Sequence, residues 1–170
     1  MIPRKAFELL VQALGELRGR FDDIACVLIG EGPERERLQA LAQQLGVHLL
    51  LLGYRADPYP TMASFDVAVL PSRAEGMPLV ILEAMALGVP CIATPAAGTV
   101  ELIESERSGM IVPTDDVGAL TVALARLLGD AALRARLGAA GAARVRELYG
   151  LDAMLERFDV TLRRAAGWPA

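Results

Sequence analysis

The sequence predicts an α/β fold, a doubly wound parallel sheet of about five strands with helices on both faces. Three features predict it. Short apolar runs of strand length alternate with longer stretches in which apolar residues recur at helical spacing. Several of those short runs are continuously apolar, as expected of strands covered on both faces. Glycine follows the helical stretches at Gly19, Gly46 and Gly88, where a left-handed residue can end a helix without a Cβ penalty.

The elements follow in order. Phe7, Leu10, Val11, Leu14 and Leu17 set an amphipathic helix that ends near Gly19. Residues 24–29 are a buried strand. Residues 33–45 are a helix opened by Pro33, with Glu34 and Glu36 in a first turn that favours negative charge. Residues 47–52 form the next strand, and 58–63 a short helix. A strand over 66–70 leads to a helix over 78–87, framed by Pro78 and Gly88. Strands over 90–94 and 110–112 flank a helical turn at 99–104. Helices over 117–128, 131–148 and 152–166 complete the chain. No internal repeat, low-complexity tract or linker interrupts it, so residues 1–170 read as one domain.

Composition narrows the function. The formal net charge is −4 and the isoelectric point about 5.1, so no basic field invites nucleic acid. Arg134, Arg136, Arg144 and Arg146 read as the solvated face of a helix. Hydrophobic content is 54% and mean hydropathy +0.39, which buried helices and a surface meant for another domain would explain. Cys26 and Cys91 sit in apolar runs and read as core thiols of a reducing compartment. His48 is the only histidine and lies in a strand pattern, and no Gly-x-Ser-x-Gly elbow accompanies it, which disfavours a Ser-His-Asp hydrolase. No apolar run is long enough to span a bilayer, and Glu8, Gln12 and Glu16 break any signal-peptide pattern. The expected location is cytoplasmic.

The chemistry concentrates in Glu75-Gly-Met-Pro-Leu-Val-Ile-Leu-Glu-Ala-Met-Ala-Leu-Gly88. Its carboxylates, Glu75 and Glu83, stand on either side of an expected helix start at Pro78. The residues from Leu79 to Leu87 are apolar except Glu83, so the helix is expected to be buried all round. Glu83 would lie about 7 Å along its axis, five residues at 1.5 Å each. Gly76 permits close backbone approach. A helix start with free N–H groups and two carboxylates suits a ligand with a phosphate at one end and hydroxyls around it. A sugar nucleotide is such a ligand. The bland alternative is a structural helix whose Glu83 caps a loop.

From Asp66-Val-Ala-Val-Leu-Pro-Ser72 through Glu75-Gly-Met-Pro78, Glu83-Ala-Met-Ala86 and Gly88-Val-Pro90, the chain resembles the C-terminal, donor-binding domain of retaining GT-B glycosyltransferases, the group 1 or family-4 class. Ile29-Gly-Glu-Gly-Pro33, Leu52-Gly-Tyr-Arg55, Gly98-Thr-Val-Glu101 and Gly109-Met-Ile-Val-Pro113 extend the resemblance over residues 5–149. It implies transfer of a hexose from a nucleoside-diphosphate sugar to a carbohydrate, lipid or small-molecule acceptor. Glu75 would be catalytic, touching the transferred sugar. Lys5 would contact the diphosphate. Gly76, Met77 and Leu79 would offer N–H groups to sugar and diphosphate, beside Pro78, which has none. Glu83 would accept from the ribose hydroxyls. Gly53, Tyr54 and Arg55 would lie near the nucleobase. No metal or other cofactor is implied, consistent with the lack of an Asp-x-Asp motif.

The same resemblance makes the chain look like a fragment. The family's domain opens with a strand ending in Gly-Arg, upstream of a Lys-Gly pair that Lys5-Ala6 matches with alanine for glycine. That strand and the acceptor domain preceding it have no counterpart in residues 1–170. The fragment alone is expected to be inactive, to partner the acceptor domain in the intact enzyme, which would touch the membrane peripherally, and to self-associate. Its sheet is expected to be incomplete between the strands over 24–29 and 66–70, repaired by closing up, by an added segment or by association. The competing reading is a non-catalytic nucleotide-binding or interaction module.

Overall fold

The computed structural model describes residues 1–21 and 23–168. A 3₁₀ turn over Pro3–Lys5 precedes α1 (Phe7–Glu16), β1 (Ala25–Leu28), α2 (Arg35–Leu45), β2 (His48–Leu51), α3 (Tyr59–Met62) and β3 (Ala68–Leu70). Then follow α4 (Leu79–Ala86), β4 (Cys91–Ala93), α5 (Thr99–Leu102), β5 (Met110–Ile111), α6 (Val117–Gly129), α7 (Ala131–Tyr149) and α8 (Leu151–Ala166). Every element expected from periodicity is present, and the strands are shorter than their apolar runs. The opening 3₁₀ turn was not expected.

All strand pairs are parallel. β1 pairs with β2, Ala25 opposite His48, and β4 lies between β3 and β5, with Ala68 opposite Cys91 and Ile92 opposite Met110. Because side chains alternate across a strand, the layer feeds two cores. Cys26, Leu28, Val69, Ile92, Met110 and Val112 face a core shared with α1, α2 and α6. Leu70, Cys91, Ala93 and Ile111 face a second core with α4, α5 and the end of α7. Both cysteines are buried free thiols. Burial pushes each thiol up to about 12, so they are inert packing groups.

Packing and hydrogen bonding divide the layer differently. β1 and the β3–β4–β5 sheet share one core, yet among the described residues no ladder joins β1 to β3. Of the three expected repairs, closing the two strands onto each other is therefore overturned. Continuity here comes from side-chain burial, which needs no register.

Two further expectations are corrected. α4 is not buried all round: Ile81, Ala84 and Met85 are buried, but Leu79 is 63% and Val80 41% exposed. An uninterrupted apolar run marks only its composition, and neighbours cover one side. Pro78 lies one place before the helix, in the cap position. Three of the four arginines assigned to a solvated face instead bind carbonyls. Arg134 donates to Leu127 and Leu128 at 2.7 and 3.0 Å, closing the end of α6. Arg144 donates to Leu102 and Glu101, and Arg136 to Glu106. Long arginine stems reach across α7 to neighbours that helical periodicity alone does not reveal.

α7 lies against the turn after α4 because residue 138 lacks a side chain. A Cβ at Gly138 would run into the carbonyl of Gly88. Gly138→Ala is expected to cost about 1–3 kcal/mol, as overpacking of a close backbone contact does. Thermal denaturation checks it, with a fall of about 2–4 °C per kcal/mol for a chain of this size.

The open edges of β1 and β3 generate a second expectation. Their mutually facing amides should exchange with solvent faster than those of β4, which is paired on both sides. Residue-resolved hydrogen exchange showing equal protection would mean that another strand occupies the gap in solution.

Candidate functional site

Parallel strands aim their carboxyl ends the same way, so the loops following β1, β2, β3 and β4 gather at one edge of the layer. The loop after β3 is anchored first. Pro71 and Ser72 are buried, and the Thr94 hydroxyl donates to the Ser72 carbonyl from the next strand. Gly98, at φ 67°, begins α5 against Gly76. A Cβ at Gly98 would collide with the Gly76 carbonyl. The left-handed backbone and the close approach both require glycine there. This contact brings the β3–α4 and β4–α5 loops together.

Glu75 lies in the first of those loops, and its side chain is only 8% exposed. Lys5, at the end of the 3₁₀ turn, donates to it at 2.7 Å. Burial pushes the Glu75 carboxyl up. Hydrogen bonding by Lys5 and Ser72 and the charges of Lys5 and Arg4 outweigh burial, holding it below the ordinary carboxylate value. The carboxylate is thus ionised and its charge balanced by a lysine 70 positions earlier in the sequence. Ala6, next to Lys5, has φ 50°, a left-handed conformation that glycine would adopt without strain.

Next to Glu75 the chain enters α4. The N–H groups of Gly76, Met77 and Leu79 have no protein acceptor among the described residues. Such groups at a helix start are ready for an anion. Glu83, further along α4, is half-buried, and its side chain has no ion pair or hydrogen bond among the described residues. One buried hydroxyl, Thr99 Oγ1, has no hydrogen-bond partner among the described residues, and it follows Gly98, which packs against Gly76. Orphaned buried polar groups are uncommon.

The β1–β2 half contributes separately. Gly30 donates to Gly53 at 2.7 Å, tying the loops after these strands together. Gly53 has φ 70°, and a Cβ there would meet Glu31 Oε1 at 2.7 Å. Tyr54 is 78% exposed and Arg55 is exposed. Neither contacts Glu75, Lys5 or Glu83 through a hydrogen bond or ion pair among the described residues.

The structure therefore unites Lys5, Glu75, Gly76 and the start of α4, and joins neither Glu83, within α4, nor Gly53–Arg55, in the loop after β2, to them by a side-chain bond among the described residues. Among the described residues no cluster of His, Cys, Asp and Glu could hold a metal ion, and no helix is long and apolar enough to cross a membrane. Sequence reasoning missed Arg73, which fastens the Lys5 turn to the β3–α4 loop: it donates from its backbone N–H to Arg4 at 2.9 Å and from Nη1 to Pro3 at 3.1 Å. No sequence pattern signals this, because the partners are 69 and 70 positions away.

Comparison with known proteins gives the family. A family model described as glycosyl transferases group 1 matches residues 1–130. The GDP-mannose-dependent alpha-(1-6)-phosphatidylinositol monomannoside mannosyltransferase of Mycolicibacterium smegmatis is 38% identical, over 83% of this chain and 40% of its own length. Sucrose-phosphate synthase from Thermosynechococcus elongatus superposes with a TM-score of 0.85 at 29% identity, covering 98% of this chain and 43% of that one. The crystallised C-terminal domain of the group 1 glycosyl transferase LpcC from Francisella tularensis superposes with a TM-score of 0.81 at 26% identity, covering 89% of this chain and 83% of that domain. The chain thus spans less than half the length of the mannosyltransferase it matches, while covering most of an isolated C-terminal domain. With the matched model covering residues 1–130, most of its length, the chain belongs to the group 1 glycosyl transferases.

Proposed function

We propose that this chain is the donor-binding part of a retaining, cytoplasmic glycosyltransferase that moves a hexose from a nucleoside-diphosphate sugar to a carbohydrate, lipid or small-molecule acceptor. The observation that carries the reading is the Lys5–Glu75 pair at 2.7 Å beside the unpaired amides that open α4. One cation, one carboxylate and a row of N–H groups meet where a diphosphate and its sugar would lie side by side.

The roles follow from the chemistry of each group. The amides of Gly76, Met77 and Leu79 and the Lys5 ammonium receive the charge that develops on the diphosphate as the sugar–phosphate bond breaks. Preorganised donors of this kind act without rearranging at the moment of reaction. Glu75 is the catalytic carboxylate, touching the sugar as it transfers. Because Glu75 is paired with Lys5, an arriving diphosphate competes with it for the ammonium, freeing the carboxylate for sugar hydroxyls. Glu83, without an internal partner, accepts from the ribose diol. Gly53, Tyr54 and Arg55 frame the nucleobase. The whole protein's acceptor would bind on a separate domain, with peripheral membrane contact where the acceptor is a lipid.

Isothermal titration calorimetry with uridine, guanosine and adenosine diphosphate tests the reading. The chain is expected to bind at least one of them, and binding of none would overturn the proposal in favour of an interaction module. Glu83→Gln should raise that Kd about tenfold, since losing a hydrogen bond to a charged group costs about 1.5–3 kcal/mol. It should leave inorganic diphosphate binding unchanged, because only the nucleotide carries a ribose. Equal losses for both would remove Glu83 from the ribose. Binding is also expected to persist in excess chelator. A strict requirement for magnesium or manganese in the same titration would contradict a site built from amides and a lysine.

A further inference from the structure

Arg73 makes a set of contacts that the donor-binding reading leaves unused. It lies between β3 and Glu75, and its guanidinium reaches three other segments. Nε donates to Asp115 Oδ1 at 2.7 Å, Nη2 to Glu8 Oε1 at 2.9 Å and Nη1 to the Pro3 carbonyl at 3.1 Å. Its backbone N–H donates to the Arg4 carbonyl at 2.9 Å. Two of these four bonds therefore hold the turn that ends in Lys5. A third holds the first turn of α1, which follows directly. The fourth ties the group to the loop before α6, where Asp115 itself adopts φ 59°.

A planar five-donor fork can satisfy acceptors in several directions at once, which lysine's point charge cannot. The turn also needs holding. Ala6 leaves it at φ 50°, a left-handed conformation that is strained for a residue with a Cβ. Strained backbone of this kind persists only where surrounding contacts over-determine it.

We infer that Arg73 is a positioning residue for donor binding: its fork fixes the Pro3–Lys5 turn so that the Lys5 ammonium stands beside Glu75 at the diphosphate position. Arg73 does not touch the donor. It acts through Lys5, and its effect on binding disappears when Lys5 is absent. This rests on the nucleotide-binding reading above.

A double-mutant cycle tests it with whichever of uridine, guanosine or adenosine diphosphate the unaltered chain binds. Arg73→Ala should raise the Kd at least about fivefold in the natural background but less than about twofold in a Lys5→Ala background, the non-additivity expected of residues acting as one unit. Arg73→Lys, which keeps the charge and loses the fork, should resemble Arg73→Ala in binding while keeping a thermal midpoint nearer that of the unaltered chain. Equal fold-losses in both Lys5 backgrounds would overturn the inference and leave Arg73 a surface staple. Full binding by Arg73→Lys would equally overturn it, since charge alone would then suffice. Failure of the unaltered chain to bind any of the three nucleotides would remove the donor reading and this inference together, whereas additive losses remove this inference alone.

Discussion

A strand layer covered on both faces governs the rest of this molecule. Val69, Ile92, Met110 and Val112 turn to one core, and Leu70, Cys91, Ala93 and Ile111 to the other. Along β3, β4 and β5 no side chain is exposed to water. Polar chemistry is therefore driven to the strand ends, and parallel pairing places all carboxyl ends together. Glycines then decide how closely the loops there can pack. The contact of Gly98 with Gly76 joins two loops that a single methyl group would hold apart.

The electrostatics follow from the same burial. A carboxylate as covered as Glu75 is costly without a partner, and Lys5 provides it from across the chain. Elsewhere the charges are occupied in structural tasks: Arg134 and Arg144 satisfy helix-end carbonyls, and Arg126 pairs with Glu106 in a two-bond fork. The Glu83 side chain, like those of Glu36, Glu101 and Glu147, has no such partner among the described residues, and neither do the amides that open α4. Groups left unsatisfied by the fold are those a ligand can use. The unpartnered hydroxyl of Thr99 belongs to the same neighbourhood.

The high hydrophobic content has two visible sources. One is the pair of cores. The other is apolar surface that no described residue covers: Leu79 and Val80 on α4, and a stripe of Leu151, Met154, Leu155, Phe158 and Leu162 on α8, a helix with no buried residue. The stripe recurs at helical spacing and so has the pattern of a packed face.

The sequence by itself determined the order and kind of the elements. Apolar runs separated by glycine and proline specify strand or helix through local sterics and periodicity, which require only neighbours in the chain. It also marked Glu75, Glu83, Lys5 and the glycines through a spaced motif. Tertiary structure alone decided the remainder. Nothing in the sequence could say that β1 and β3 share a core without a ladder, that α4 is open on one side, or that the α7 arginines cap distant carbonyls. Nor could it show that Arg73 fastens a turn 70 positions away. Each of these depends on which surfaces meet. That is fixed by the simultaneous burial of many side chains, and no local pattern encodes it.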